Sequence, residues 1–173
     1  MMEKVKSVCE ENVFNGVYKT HAKALYNFMY YKCGDVSKAE DFVQESYIKL
    51  WNNCAKVAIE KAKSYLFTCA NNLFLNHVAH QKIVLRHQKE GAKHHTNENP
   101  EFLLEEKEFM AKLQQTISEL PEDQRTIFLL NRIDKKKYRE IAEIQGIAMK
   151  TVEKKMSLAL KYLEKHLDTI HKV

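Results

Sequence analysis

The sequence predicts an all-α fold: two small helical domains joined by a flexible linker, the second carrying a helix-turn-helix. Three observations lead there. Four glycines and two prolines in 173 residues argue against a turn-rich β architecture. Apolar residues recur at three- and four-residue intervals through most of the chain. That periodicity fades in one internal stretch, residues 83–100, which holds Gly91, Asn97, Asn99 and Pro100. The resulting division is residues 10–82, a linker 83–100, and residues 101–173.

Residues 13–33 form the first helical pattern, with Val17, Leu25, Phe28 and Met29 inward. Gly34 and Asp35 break it, and Ser37 is the expected cap of the next helix, from Lys38 to Asn52. There Phe42, Val43, Tyr47, Leu50 and Trp51 share the apolar side, while Asp41, Gln44, Glu45 and Lys49 share the other. Residues 53–63 read as a loop with lysines at 56, 61 and 63. A further helix over 64–82 buries Leu66, Phe67, Ala70, Leu73 and Phe74. Its polar side holds Asn71, Asn72, Asn76, His77, His80, Gln81 and Lys82, groups suited to base edges and phosphates.

Beyond the linker, Leu103, Leu104, Met110, Leu113, Ile117 and Leu120 form another stripe. Pro121 suits the first position of the following helix, and Glu122 and Asp123 complement its dipole. Residues 135–163 then read as two helices around a turn. Ile141, Ala142 and Ile144 line the first, and Gly146 sits at the reversal, where positive φ costs little without a Cβ. Val152, Met156, Ala159 and Leu163 form one stripe of the second, leaving Lys150, Thr151, Lys154 and Lys155 outward. A helix-turn-helix offers its second helix to the DNA major groove in this manner.

Charge is unevenly placed. Residues 46–95 carry eight basic against two acidic side chains, residues 121–173 twelve against eight, and residues 96–120 two against six. Solvated helix surfaces would account for either basic block alone. Two of them, one on a helix-turn-helix, favour a nucleic-acid partner. No apolar run approaches the roughly 20 residues of a membrane span, and the start, MMEKVKSVCEENVF, lacks a signal peptide's apolar core. A soluble cytoplasmic protein is expected, with Cys9, Cys33, Cys54 and Cys69 reduced and mostly buried. No cofactor and no metal is expected. His94 and His95 are adjacent on the linker, a poor metal site.

Three motifs, in this order, resemble a bacterial sigma-70 family sigma factor of the small extracytoplasmic function (ECF) type. The first is Ala39-Glu40-Asp41-Phe42-Val43-Gln44-Glu45 followed by Tyr47, Leu50 and Trp51, similar to region 2. The second is Ser64-Tyr65-Leu66-Phe67 with Ala70-Asn71-Asn72, similar to the helix used on the −10 promoter element. The third, similar to region 4, is Leu120-Pro121 with Arg125 and Phe128, then Tyr138, Glu140-Ile141-Ala142, Gly146 and Thr151-Val152-Glu153.

The resemblance implies a transcription initiation factor, not an enzyme. It would bind RNA polymerase core on its clamp-helix coiled coil and flap region, direct it to −35 and −10 elements, and aid melting. Asp41, Gln44, Glu45, Tyr47, Lys49 and Trp51 would dock on core, with Tyr47 and Trp51 as apolar support beneath. Lys56, Lys61, Lys63, Asn71, Asn72, Asn76, His77, His80 and Lys82 would hold the −10 element. Arg139, Lys150, Thr151, Glu153, Lys154 and Lys155 would read the −35 duplex. An anti-sigma factor is the further partner implied, and no membrane insertion is.

Two departures stand out. Many family members carry arginines where this chain has His77, His80, Gln81 and Lys82, so contact there is expected to be weaker or more pH-sensitive. Lys137 and Ala148 occupy places where the family has Ser or Thr caps, so the second domain is expected to be marginal alone. The alternative reading is a helix-turn-helix regulator with an unrelated helical sensor, which leaves residues 41–51 unexplained. An enzyme has little support, because no Gly-rich phosphate loop, spaced ligand set or nucleophile–base pair appears.

Overall fold

The computed structural model describes residues 7–87 and 104–167, with side chains described over 7–81 and 109–167. Those residues form seven α-helices and a 3-10 turn, with no strand among them. The sequence stretch 88–103, which includes His94, His95 and most of the expected linker, lies outside the described residues.

Helix α1 spans Glu11–Cys33 and ends at Gly34, whose φ of 67° lets its N–H reach the Tyr30 carbonyl. Helix α2, Val36–Asn52, starts two residues before the sequence pattern suggested. Its cap is Asp35, whose carboxylate accepts from the Lys38 N–H at 3.0 Å, and Ser37 lies inside the helix. Helix α3 covers Ile59–His87 and is longer than expected at both ends. Ala62 is fully buried beneath it, so residues 59–63 form its first turns and the true corner is only 53–58. Within that corner Cys54–Lys56 form the 3-10 turn.

Helix α4 is Leu104–Glu119 and α5 is Glu122–Arg132. Pro121 occupies the cap position of α5, one residue earlier than its expected place. Helices α6, Tyr138–Gln145, and α7, Met149–Leu167, flank the turn at Gly146. Gly146 has φ 65°, and the Ile147 N–H returns to the Ala142 carbonyl at 3.0 Å, closing the end of α6. Lys137 provides no side-chain cap, but the Glu140 carboxylate accepts from the Lys137 N–H at 2.8 Å. That bond, with Lys136, Lys63 and Lys137 nearby, holds Glu140 below the usual carboxylate range. The expected deficit at the start of α6 is thus partly met from three residues ahead.

Most of the expected inward stripes are buried, although Met110 of the α4 stripe stays 47% exposed. Leu25, Phe28, Met29, Leu50, Leu66 and Ala70 join α1, α2 and α3, and Val152, Met156, Ala159 and Leu163 seat α7 on α5 and α6. Each large apolar side chain removed from water contributes about 1.5–3 kcal/mol before ordering costs. The two halves do not stand apart. Helix α1 packs on α5 and α3 on α6, so Phe28 and Leu66 belong to the same apolar cluster as Ile127, Leu130 and Ile141.

Candidate functional site

Helix α2 presents Asp41, Gln44 and Glu45 to solvent, with the half-exposed Lys49 beside them at 3.6 Å from Glu45 Oε1. Tyr47 lies beneath, 6% exposed, edge-on to Phe14 and tilted against Tyr18 at 5.0 Å. Burial, aided by Tyr18, pushes its phenol well above the ordinary value. Trp51 differs from its expected place. It remains 45% exposed and touches Phe14 edge-on at 5.0 Å, because α2 turns it outward at its last turn. It flanks the acidic face and does not support it from below.

Of the expected −10 residues, Asn72, Asn76 and His80 are exposed at four-residue intervals and, with Thr68 from outside that set, form one polar line along α3. Asn71 is half-buried, and His77 turns inward, its ring edge-on to Phe42 at 5.7 Å. Lys56 is exposed on the corner. Lys61 and Lys63 instead line a groove of about 350 Å³ with Glu60, Ser64, Phe67, Glu143 and Ile144, between α3 and α6. Lys63 is close enough, after burial, to lower the pKa of His21 on α1. The side chain of Lys82 is outside the described set.

On the helix-turn-helix, Lys150, Glu153 and Lys154 are exposed at the start of α7, and Thr151 is half-exposed. Arg139 is exposed on α6 and 3.8 Å from Glu143. Lys155 is different: its ammonium is paired with the Asp123 carboxylate of α5, and the side chain is 27% exposed. It fastens α7 to α5. Periodicity placed it off the apolar stripe without showing that another helix meets that side.

A polar seam between the halves was not anticipated. The Arg125 guanidinium donates to the Tyr31 and Lys32 carbonyls at 3.2 and 3.3 Å, and to the Ser118 and Leu120 carbonyls at 3.1 and 3.3 Å. The first pair closes α1 and the second pair surrounds the end of α4, so one cation serves the negative ends of two helices. Lys32, 8% exposed, sits over the Phe28 and Phe74 rings and pairs with Glu122 at 2.6 Å. Asp134 Oδ1 accepts from Asn27 Nδ2 at 2.9 Å and from the Tyr31 hydroxyl at 3.0 Å. Burial and this bond raise the Tyr31 pKa. One signal was available: Leu25, Phe28, Met29 and Lys32 share a helical stripe, and a cation there needs a buried partner.

Two family matches divide the chain as its helices do. Residues 17–83 match sigma-70 region 2, and residues 110–163 match sigma-70 region 4. This chain belongs to the sigma-70 family, as an ECF sigma factor. Among its relatives, the ECF RNA polymerase sigma factor SigW of Bacillus subtilis is 27% identical over 169 residues, covering 91% of this chain and 90% of SigW. RNA polymerase sigma factor YlaC of the same organism is 23% identical over 156 residues, covering 87% of this chain and 90% of YlaC. The fold resembles that of sigma factor RpoE, solved in complex with the anti-sigma factor NepR from Bartonella quintana. The TM-score is 0.63 at 22% identity, over 90% of this chain and 96% of RpoE. As a sigma factor the chain acts by binding in transcription initiation. No described helix is long and apolar enough to cross a membrane.

Proposed function

We propose that this sigma factor binds RNA polymerase core through Asp41, Gln44 and Glu45 and directs it to promoters in the cytoplasm. In this reading residues 10–82 serve core and the −10 element, and residues 101–173 serve the −35 element, joined through 83–100. The exposed start of α7, Lys150 to Lys154, reads the −35 duplex. The corner 53–58 and the Asn72–Asn76–His80 line hold the −10 element as the duplex opens. Capturing an unstacked base costs a few kcal/mol, which a basic, polar surface must offset. The observation that carries the reading is the exposed acidic face of α2 on the same chain as the exposed basic start of α7. The surfaces have opposite character, as a protein-docking face and a DNA-reading face require.

The reading also demands movement. Elements at −35 and −10 lie about 25 base pairs apart, roughly 85 Å at 3.4 Å per step. A packed chain of this length has a radius of gyration of only about 16 Å. The α1–α5 and α3–α6 contacts must part for both elements to be held together. The packed form is therefore the form off DNA, and an anti-sigma factor is the partner that would keep it so.

In-vitro transcription with core polymerase on a genomic promoter library tests the proposal. Promoter-specific transcripts dependent on this protein are expected, sharing two elements. Binding to duplex DNA without any transcript would overturn it in favour of a regulator.

A further inference from the structure

Cys9 and Cys54 are joined Sγ to Sγ, with their Cα atoms 5.0 Å apart across 45 residues of sequence. This corrects the expectation of four reduced thiols. The other two cysteines are free, and Cys33 is pushed towards its neutral form by burial while its thiol meets the Asp35 carbonyl. Cys9 is exposed and Cys54 half-exposed, so small oxidants and reductants can reach the bond. In a reducing compartment a disulfide of this kind is transient and redox-responsive more often than structural.

The bond ties two places that matter. Cys9 lies in the turn before α1, anchored by the fully buried Val8 and by the Ser7 N–H on Glu10. Cys54 lies in the corner that carries Lys56 between α2 and α3. Apart from the bond, the corner is held by Cys54 and Val57 against the apolar cluster and by a few hydrogen bonds. Asn53 reaches back to the Lys49 carbonyl, the Lys56 N–H meets the Asn53 carbonyl at 2.9 Å, and the Val57 N–H meets the Cys54 carbonyl only at 3.5 Å. Ala55, Lys56 and Ala58 are exposed, so the middle of the corner is lightly packed. The covalent tether adds a fixed point to it.

We propose that Cys9 and Cys54 form a thiol–disulfide site whose oxidation by hydrogen peroxide pins the corner and lowers promoter opening. The functional half rests on the role given above to residues 53–58. One thiolate attacks the peroxide, giving a sulfenic acid and releasing hydroxide. The second thiolate displaces hydroxide from that sulfur and forms the S–S bond. Two thiols thus lose two electrons and two protons, and the peroxide becomes two waters. A dithiol reverses the step by two exchanges.

The test uses the full chain with core polymerase, on a promoter recovered by the transcription experiment. Peroxide-treated and dithiothreitol-treated protein are compared by non-reducing peptide mapping and by permanganate reactivity of the opened strand. A peptide linking residues 9 and 54 is expected after peroxide, with opening reduced several-fold and restored by dithiothreitol. Cys9→Ser should open the promoter in both conditions, and Cys33→Ser should respond as the parent does. No linked peptide, or a linked protein that opens the promoter as well as the reduced one, overturns the proposal. A reduced Lys56→Ala variant that opens the promoter as well as the parent overturns the role of the corner and the functional half with it, while the peptide map still decides the redox site.

Discussion

Asp134→Ala isolates the seam between the two halves. Its carboxylate bonds Asn27 and Tyr31, both on α1, so its removal weakens contact across the seam and spares both cores. Hydrogen bonds to a charged acceptor contribute about 1.5–3 kcal/mol each. Asp134 and Asn27 are half-exposed, so each bond falls below that range, at about 1–1.5 kcal/mol, or about 2–3 kcal/mol for the pair. The equilibrium between packed and parted forms should then move about 30- to 150-fold towards parting. Small-angle scattering reads this directly. The parent should scatter with a radius near the packed value of about 16 Å, and the variant with a larger one. Affinity for −35 duplex should rise if packing competes with DNA. An unchanged radius and unchanged affinity, with helical content intact, would refute the account of the seam.

The remaining expectations concern single faces. Lys154→Ala should weaken −35 duplex binding and reduce the salt slope by about 0.9, whereas Lys155→Ala should act mainly by lowering the melting temperature, since Asp123 loses its partner. Asp41→Ala with Gln44→Ala should weaken core polymerase in a titration at unchanged melting temperature, both being exposed. The folded-state pKa of Tyr31 is raised, so its contribution is complete below the unfolded value near 10 and is lost as pH climbs above it. Alkaline unfolding should accordingly be less steep for Tyr31→Phe than for the parent.

Periodicity reports which side of a helix is buried, and that much was legible. The stripes on α1, α3 and α7 are where their spacing places them. What buries a side chain is not local information. Lys155 and Lys32 find carboxylates 32 and 90 positions further along or back, and no spacing rule encodes those meetings. Residues 59–63 looked like loop because lysines dilute their apolar signal, yet Ala62 and the partly buried Ile59 seat that turn. Trp51 was read as inward because helical spacing aligns it with Val43, Tyr47 and Leu50, although the end of a helix can leave such a ring half in water. The cysteine pair was missed for another reason: spacing rules for thiols describe motifs within a short segment, and these two are 45 residues apart.

The seam has a consequence for affinity. Suppose all contacts across the seam, the shared apolar cluster and the costs of ordering included, leave a net preference for packing of about 2.7 kcal/mol. Only about one molecule in a hundred would then be parted, and every ligand that needs the parted form would bind about a hundredfold more weakly than its contacts alone allow. Core polymerase, by holding α2 and the helix-turn-helix at separate places, would remove that factor before DNA arrives. Affinity for promoter would then be conditional on polymerase without any contact between polymerase and the DNA-reading residues. A single guanidinium that closes two helix ends would in this way help set when the factor can be used, as well as how the chain is folded.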